Sequence, residues 1–379
     1  MFSINRRDFI IAGLGTIGIL AAGGGMYLKH DKFGRSPEGS RLQRILNSPN
    51  YRNGQFHCLE PVENIMENEG SEGESKFTAT LKFLFGDKTG LVPDETMISA
   101  RTPLSSLKPT DDAVIWMGHS TFFLQLNGKK ILIDPVFSSY ASPLFFINKA
   151  FPGSNVYDAA DFPEIDALLI SHDHWDHLDY PSIMALKDKV KDVVCPLGVG
   201  EYFEQWGFDS AQLHEEDWFT EIALPDGLAV HILPSQHFSG RLLKQNQTLW
   251  CSFAVVSHGR KIFCSGDGGY GKHFKKIGEQ FNGFDLAIME NGQYNKQWHR
   301  IHLLPEETAQ AAADLGAKAV IPSHNGKFAL ARHTWNEPYM ALTAASKNKS
   351  YSLWTPAIGE AVFLKQPQQH FSSWWEQMV

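Results

Sequence analysis

The nine residues from Ser171 to Asp179 constrain this chain more than any other feature. They contain three histidines and three aspartates and directly follow a largely apolar run of six residues. The run predicts a buried strand, and because strand side chains alternate faces, His172 and His174 can point in the same direction. Asp176 and His177 follow where the chain turns into the next helix. Imidazoles and carboxylates suit zinc or a similar divalent ion, and four donors exceed what one tetrahedral ion usually takes from one loop. We therefore predict a site for two metal ions.

Three later runs with strand character each end close to another candidate donor. Polar groups at the carboxyl ends of strands collect at one edge of a layered α/β fold, so we expect these donors to join the same site. The runs are 228–233, 261–265 and 319–322, followed by His237, Asp267 and His324 in that order. The sequence then offers seven candidate metal ligands: His172, His174, Asp176, His177, His237, Asp267 and His324.

Two earlier residues are candidates for supporting roles. The strand predicted at 130–133 ends in Asp134, which we expect to support a metal ligand from the second layer of the site. His119 lies in a predicted turn. We favour a structural hydrogen-bonding role for it, because every ligand position can be filled without it.

The order of the elements predicts two β-rich halves. Helices predicted at 180–186 and 198–206 follow the first half, and a helix at 305–315 follows the second. This arrangement favours two sheets packed face to face with helices outside. The predicted strands are 113–117, 121–126, 130–133, 165–170, 193–195, 228–233, 249–256, 261–265, 286–289 and 319–322.

Composition excludes some classes of function. A chain of 379 residues with 43% hydrophobic residues can bury a full core. Its net charge of −8 argues against a nucleic-acid-binding surface, which is normally basic. The four cysteines form no CxxC pair, and we interpret them as buried thiols.

The N-terminus has the pattern of an export signal. Arg6 and Arg7 precede an aspartate, a phenylalanine and an uncharged run from Ile10 to Leu28, which resembles a bacterial twin-arginine signal. The alternative is a signal anchor, since these nineteen residues could just span a bilayer core of about 30 Å. Either interpretation predicts the bacterial cell envelope, with the protein exported or anchored on the periplasmic side.

A second apolar segment lies between the predicted strands of the first half. Residues 137–151 contain Leu144-Phe145-Phe146-Ile147 and are interrupted by Pro143. The segment is too short to span a bilayer. An exposed or lid-forming loop and a buried connection are equally compatible with it.

The segments that carry this chemistry resemble a known family. The HxHxDH spacing of His172 to His177 is that of the metallo-β-lactamase superfamily, which argues against solvated loop side chains. Over roughly 51–360 the chain resembles the branch of phospholipase D enzymes that hydrolyse N-acylphosphatidylethanolamine. The matching segments are Gly118–Thr121, Ile133–Pro135, Ser171–Asp179, Pro234–Arg241, Gly266–Tyr270 and His324–Ala331. Two positions depart from the family pattern: Gly268 replaces a frequent threonine, and Asn325-Gly326-Lys327 replaces the more usual Trp-Gly-Thr.

The resemblance implies the fold. We expect an α/β protein with the four-layer αββα sandwich of the metallo-β-lactamases at 113–365. The sequence pattern itself predicts a signal or membrane anchor at 1–29, an N-terminal arm at 30–112 and a C-terminal tail at 366–379. Residues 31–76 of the arm are polar, and we expect little regular structure there.

The resemblance also implies two Zn²⁺ ions and the ligands of each. One ion would be held by His172, His174 and His237. The other would be held by Asp176, His177 and His324, with Asp267 as the bridge.

His302 matches a histidine near the reaction centre of that family. A role in catalysis or substrate positioning and simple packing at the start of the following helix are equally compatible with it. The candidate catalytic residues are Asp176, Asp267 and His302.

The activity implied is that of a zinc-dependent phospholipase D. A hydroxide shared by the two ions would convert N-acylphosphatidylethanolamine to phosphatidic acid and an N-acylethanolamine. A phospholipid or phosphodiester substrate and a membrane surface are the implied partners, and a homodimer is compatible with the resemblance. The same type of centre opens lactones and β-lactams, so a lactonase or other carbonyl hydrolase is the alternative enzyme. The third hypothesis is a catalytically silent envelope binding protein. We disfavour it because such a protein would not need seven costly buried polar groups.

Overall fold

Two seven-stranded sheets form the centre of the computed structural model, which describes residues 27–61, 89–241, 244–296 and 298–378. The strands are β1 (Tyr51–Arg52), β2 (Gln55–Phe56), β3 (Ala113–Trp116), β4 (Phe122–Leu126), β5 (Lys129–Ile133), β6 (Ile165–Leu169), β7 (Val190–Pro196), β8 (Leu213–Glu216), β9 (Thr220–Leu224), β10 (Leu228–Leu233), β11 (Ser252–Ser257), β12 (Arg260–Cys264), β13 (Leu286–Glu290), β14 (Ala319–Ser323), β15 (Ser352–Leu353) and β16 (Ala361–Phe363). The α-helices are α1 (Gly39–Asn47), α2 (Tyr180–Leu186), α3 (Gly200–Gln205), α4 (His273–Phe281), α5 (Pro305–Asp314) and α6 (Glu337–Ser346).

Both sheets mix an antiparallel half with a parallel half. The first has the order β16-β3-β4-β5-β6-β7-β8 and becomes parallel from β5 onward. The second has the order β15-β14-β13-β12-β11-β10-β9 and is parallel from β12 to β15. β10 runs in the same direction as β12, because each is antiparallel to β11. The seven candidate ligands lie in the loops that follow the carboxyl ends of β6, β10, β12 and β14.

The core has one layer between the sheets and one outside each sheet. Val114 and Leu124 of the first sheet belong to the same buried cluster as Phe253 and Ile262 of the second. On the outer face of the first sheet, Phe123 and its neighbours pack with residues of α2 and α3. Residues of α4 and α5 cover the outer face of the second sheet. This is the αββα sandwich that the resemblance implied, and burial on both faces explains why the strands read as continuous apolar runs.

The sequence predicted the central strands better than the periphery. Each of the ten predicted strands is present, with ends that differ by up to three residues. The predicted helices at 180–186, 198–206 and 305–315 are also present, as α2, α3 and α5. The elements that the sequence did not predict are α1, α4, α6, β1, β2, β8, β9, β15 and β16.

The prediction of little regular structure in the N-terminal arm is wrong for α1 and for the β1–β2 hairpin. The sequence of α1 is largely polar. Ile45 packs into the core between the sheets, and Arg41 forms ion pairs with the domain. Nη1 of Arg41 lies 2.7 Å from Oε2 of Glu201, Nε of Arg41 lies 2.8 Å from Oε2 of Glu215, and both glutamates are buried. Such long-range pairs help to hold a short polar helix in place and cannot be recognised in its local sequence.

The structure describes the predicted C-terminal tail as far as residue 378, but only residues 27–29 of the predicted signal. Residues 1–26 of the predicted signal lie outside the described residues. So does the segment 77–85, whose sequence is compatible with a short helix or a strand. Across the described parts of the chain, the helices are all too short or too polar to cross a bilayer. In the predicted C-terminal tail, Trp374 and Trp375 are buried in the cluster between the sheets.

Candidate metal centre

All seven candidate metal ligands lie at one edge of the sandwich. The loop after β6 carries four of them, and one more follows each of β10, β12 and β14. All seven are buried or half-buried. Their donor atoms fall into overlapping groups whose members lie within 4.8 Å of one another. The expectation that separate strand ends contribute to one site therefore agrees with the structure.

The first donor group consists of three histidines. Nε2 of His172 lies 2.9 Å from Nδ1 of His174, and Nε2 of His237 lies 3.2 Å from the same atom. His237 is oriented by its other ring nitrogen, because Nδ1 lies 3.0 Å from the carbonyl oxygen of Ile301. These are the three residues that the resemblance assigned to one ion.

The second donor group combines a carboxylate with imidazoles. Oδ2 of Asp176 lies 3.5 Å from Nε2 of His177 and 3.2 Å from Nε2 of His324. His119 also reaches this group, with Nε2 at 2.8 Å from Oδ2 of Asp176. That contact supports the hydrogen-bonding role expected for His119, which here orients a carboxylate.

Asp267 lies between the two groups. Its Oδ2 atom is 3.1 Å from Nε2 of both His177 and His324, in the second group. The same atom is 3.9 Å from Nε2 of His172 and 3.7 Å from Nε2 of His237, in the first group. One carboxylate oxygen thus faces two donors from each group, which is the position that a bridging ligand requires.

The donor atoms fit a bound cation. Among the described residues, Nε2 of His177, Oδ1 of Asp267 and Nδ1 of His119 are buried without a hydrogen-bond partner. Buried polar atoms without partners are costly, and lone pairs that face a common point are satisfied by a metal ion. Nε2 of His177 and Oδ2 of Asp267 face each other at 3.1 Å without forming a hydrogen bond.

The protonation states of His172 and Asp267 suit metal binding. Burial lowers the pKa of His172, and repulsion from the imidazoles of His177, His174 and His237 lowers it further, so His172 is neutral. Burial opposes ionisation of Asp267, but the imidazoles of His177 and His324 outweigh it and hold its pKa well below the usual value. Neutral imidazole and ionised carboxylate are the forms that bind metals.

His324 carries a proton when no cation is present. Burial lowers its pKa, but Asp267, Asp176 and Glu290 outweigh burial and raise the pKa to about 10. A metal ion at this position would take the place of that proton, so metal binding releases protons.

A buried carboxylate supports the second donor group, as predicted for Asp134. It accepts hydrogen bonds from Ser171 N at 2.8 Å and Ser171 Oγ at 2.6 Å, and it lies 2.8 Å from Nδ1 of His177. This contact fixes the ring of His177 so that Nε2 points at the metal-binding side.

Three residues of the site have left-handed backbone conformations. The φ angles are 53° at His119, 43° at Asp134 and 63° at His324. Such conformations cost non-glycine residues on the order of 1 kcal/mol or more and persist only where the surroundings enforce them. Here His119 N donates to Asn325 O at 2.9 Å and His324 N donates to His119 O at 3.1 Å, which locks the two turns together.

The sequence missed one functional candidate, Glu290. This fully buried residue ends β13, and its carboxylate contacts Nδ1 of His302 and lies 3.3 Å from Nδ1 of His324. The signal that identified Asp134 and His324 applies to it as well, since it is a polar residue at the carboxyl end of a buried strand. The predicted strand stopped one residue earlier, at Met289.

The neighbours of residue 268 explain the glycine at this position. Gly268 N donates to Glu290 Oε2 at 2.6 Å. A Cβ atom at this position would lie 2.2 Å from Ser235 Oγ, so a threonine would need Ser235 to move. The departure from the family pattern is therefore matched to this chain's own neighbours.

His302 lies beside both donor groups. Its ring stacks on His324 with 5.3 Å between centroids, and it lies 5.0 Å from the ring of His237. Its side chain is 13% exposed, so the ring borders the opening of the site. The helix α5 begins three residues later, at Pro305.

Comparisons with known proteins show the family to which the chain belongs. A family model described as "Beta-lactamase superfamily domain" matches residues 129–325. An uncharacterized protein of Mycobacterium tuberculosis is 35% identical over 339 residues, which span 86% of this chain and 87% of that protein. Outer membrane protein RomA of Klebsiella pneumoniae is 62% identical over 102 residues, which span 27% of this chain and 77% of RomA.

Two further relatives are named N-acyl-phosphatidylethanolamine-hydrolyzing phospholipase D. The Saccharomyces cerevisiae protein is 34% identical over 59% of this chain and 49% of its own length. The Caenorhabditis elegans protein is 29% identical over 71% of this chain and 83% of its own length.

Among solved structures, an isothiocyanate hydrolase from Delia radicum gut bacteria has a TM-score of 0.51 and 21% identity, and covers 66% of this chain and 98% of that structure. At this identity the likeness shows the fold alone. The chain belongs to the metallo-β-lactamase superfamily, and its similarity to the yeast and worm proteins supports the N-acylphosphatidylethanolamine-hydrolysing phospholipase D branch.

Proposed function

We propose that the protein is a zinc-dependent phosphodiesterase of the phospholipase D type, which hydrolyses N-acylphosphatidylethanolamine-like lipids to phosphatidic acid and an N-acylethanolamine. The observation that carries this proposal is the position of Asp267 Oδ2, within 3.9 Å of Nε2 atoms from both donor groups. Two ions held on either side of one carboxylate suit a phosphate, which offers more than one oxygen to a pair of cations. The names of the yeast and worm relatives support the lipid class.

Two sets of three residues would bind the two metal ions. His172, His174 and His237 would hold one ion, and Asp176, His177 and His324 the other. When bound, such ions supply a water-derived nucleophile at neutral pH and neutralise charge on phosphate oxygens.

We assign to His302 the role of proton donor to the leaving group. Hydrolysis forms a P–O bond to the oxygen of water and breaks the P–O bond to the N-acylethanolamine, whose oxygen then needs a proton. The Glu290 carboxylate contacts Nδ1 of His302, so the ring is held with Nε2 available, and the protonated imidazole can donate that proton. Glu290 also contacts His324, so one buried carboxylate positions the proton donor relative to a metal ligand.

We also propose a cellular location for the protein. The twin-arginine pattern and the name of the Klebsiella relative support an exported or anchored protein of the bacterial envelope. There the enzyme would meet phospholipid from the periplasmic side.

A substrate comparison tests the proposal. Purified protein loaded with zinc is incubated separately with N-acylphosphatidylethanolamine in mixed micelles, with an acyl-homoserine lactone and with a β-lactam, and products are identified by mass spectrometry. We expect phosphatidic acid and N-acylethanolamine in equal amounts, with His302→Ala strongly impaired. His214→Ala is the matched control, because His214 contacts Asp192 at 2.7 Å outside the site. Efficient lactone turnover without diester turnover would replace the proposal with a lactonase, and no turnover with full metal loading would favour a silent protein.

A further inference from the structure

We propose that Tyr27, Leu28, Phe145 and Phe146 form a docking surface that inserts into the headgroup region of an anionic bilayer beside the metal centre. This inference rests on the proposed lipid substrate, because an enzyme that acts on a lipid headgroup must bring its site to the bilayer.

Exposed apolar side chains are concentrated on this surface. Phe145 is 76% exposed and Phe146 is 66% exposed, the two highest values among the large apolar residues that the structure describes as exposed. Leu28 and Tyr27 are also exposed. Four of the nine such residues therefore fall in two short segments, although single exposed apolar residues are normally scattered.

Hydrogen bonds join the two segments of the docking surface. The Tyr27 hydroxyl donates to the carbonyl oxygen of Pro143, and Lys32 Nζ donates to the same oxygen at 3.0 Å. Lys32 Nζ also donates to the Tyr27 hydroxyl at 2.7 Å. Residues far apart in sequence thus present one continuous patch.

The loop that carries the two phenylalanines forms a hairpin whose two sides are joined by hydrogen bonds. Ala141 N donates to Asn148 O at 3.0 Å, and Ala150 N donates to Ser139 O at 2.9 Å. These hydrogen bonds restrict movement of the loop tip back onto the protein. The interpretation of 137–151 as a loop with exposed apolar residues agrees with this geometry.

Lys327 fixes the base of the hairpin. Its Nζ donates to Val136 O at 2.6 Å, and its backbone oxygen accepts from Phe151 N at 2.7 Å. Lys327 is fully buried and lies three residues after His324. Both ends of the loop are therefore tied to the segment that delivers a metal ligand.

Both segments of the docking surface also border the metal-binding loop. The ring of Phe33 lies 5.3 Å from that of Trp175, which separates His174 from Asp176. On the other side, Phe328 packs with Val136 and Ala141 of the hairpin and lies 5.2 Å from the ring of His119. A bilayer that contacts the docking surface would lie next to the donor groups.

Charge favours a lipid occupant over a second copy of this acidic chain. Lys29 and Lys149 are exposed at the edges of the docking surface, and Lys32 lies within it, although the whole chain has a net charge of −8. The nearby Asp31 already accepts a hydrogen bond from Gln205 at 3.0 Å. In the sequence, Tyr27 directly follows an uncharged run that extends back to Ile10. Apolar tips ringed by lysines are typical of surfaces that bind anionic bilayers.

Local hydrogen exchange in the full-length, zinc-loaded protein tests the docking surface. Exchange is measured with and without vesicles of phosphatidylethanolamine and phosphatidylglycerol. The local readout separates this surface from any binding through residues 1–26. We expect vesicles to slow exchange at 27–32 and 143–149 but not at 216–222, around the exposed Phe219. Unchanged exchange at 143–149 on bound vesicles would overturn the proposal, as would equal protection without vesicles at high protein concentration, which would indicate a second copy.

A matched pair of double variants completes the test. Phe145→Ser with Phe146→Ser should abolish the vesicle-dependent protection and reduce turnover of vesicle-embedded diester about tenfold or more, but leave turnover of a water-soluble diester unchanged. Phe219→Ser with Met340→Ser removes two exposed apolar residues elsewhere and should change neither. Equal losses on both substrates would overturn the docking role. Protection without any diester turnover would support the docking surface and refute the proposed function instead.

Discussion

The Oδ2 atom of Asp267 lies 3.1 Å from Nε2 of His177, and the two atoms face each other without a hydrogen bond. The same oxygen lies 3.7 Å from Nε2 of His237, in the other donor group. A carboxylate buried in such a position is costly unless a cation shares it. This geometry is the basis for our proposal that Asp267 would be shared by two metal ions.

Replacing Asp267 by asparagine should reduce metal content and activity together. The amide keeps the shape of the side chain but loses the charge that two cations would share. We expect bound metal to fall from about two ions per chain to one or fewer, and turnover to fall at least about 100-fold. Elemental analysis and turnover of the same preparation measure both effects. Asp192→Asn, outside the site, is the control. Two bound ions together with near-normal turnover in Asp267→Asn would show that Asp267 is not the bridge.

Asp134 should tune metal affinity without binding the metal. Its carboxylate lies 2.8 Å from Nδ1 of His177, so Asp134→Asn weakens the orientation of that ligand. We expect metal affinity to fall about 10- to 100-fold, measured by competition with a chelator. Asp166→Asn is a matched control, because Asp166 lies near the opposite end of β6 and accepts from Lys130 N. Equal affinities for the wild type and Asp134→Asn would remove the supporting role.

Glu290 should act as a positioning residue for His302. Glu290→Gln keeps the side-chain volume but removes the charged acceptor that contacts Nδ1 of His302. We expect kcat to fall about 100-fold or more with little change in KM, measured on a water-soluble diester. Metal content is measured in parallel, because Glu290 also contacts His324. A loss of kcat that follows a loss of bound metal, or a rise in KM with kcat unchanged, would contradict the positioning role.

Lys327 should make stability depend on pH. Burial lowers its pKa to about 7, whereas a lysine in an unfolded chain has a pKa of about 10.4. Between these values the unfolded chain binds a proton that the folded chain does not. The contribution of Lys327 to the free energy of unfolding therefore rises by about 1.4 kcal/mol per pH unit across this window and is lowest below about pH 7.

The variant Lys327→Met isolates this contribution. Relative to wild type, its stability advantage should be largest near pH 7 and should shrink as the pH approaches 10, as measured by chemical denaturation of metal-loaded protein. Lys318→Met, at an exposed lysine, should show no such trend. A difference between Lys327→Met and wild type that does not change with pH would show that Lys327 is protonated in the folded protein.

The sequence predicted the site because each ligand follows a strand that is apolar on both faces. Strand ends such as those before Asp134, Asp267 and His324 are marked by a sharp change from apolar to polar residues. Glu290 shows the same change from apolar to polar directly after Met289, and it differs from Asp134 only in being the last residue of its strand.

Two other features depend on contacts that no local pattern encodes. The ion pairs of α1 join Arg41 to Glu201 and Glu215, which lie 160 and 174 residues away in sequence. The exposure of Phe145 and Phe146 depends on Lys327, which closes the base of their loop from a distant strand end. The order of apolar runs therefore predicts the sandwich and its ligands, whereas tertiary packing determines the arm and the loop.

Hydrolysis in water enriched in ¹⁸O tests the central claim most directly. Zinc-loaded protein is incubated with N-acylphosphatidylethanolamine, and both products are analysed by mass spectrometry before and after metal removal with a chelator. The account predicts one ¹⁸O atom in phosphatidic acid and none in N-acylethanolamine, because water attacks phosphorus, with all turnover lost on chelation and restored by zinc. Label in a released fatty acid, or turnover that survives removal of the metal, would contradict it.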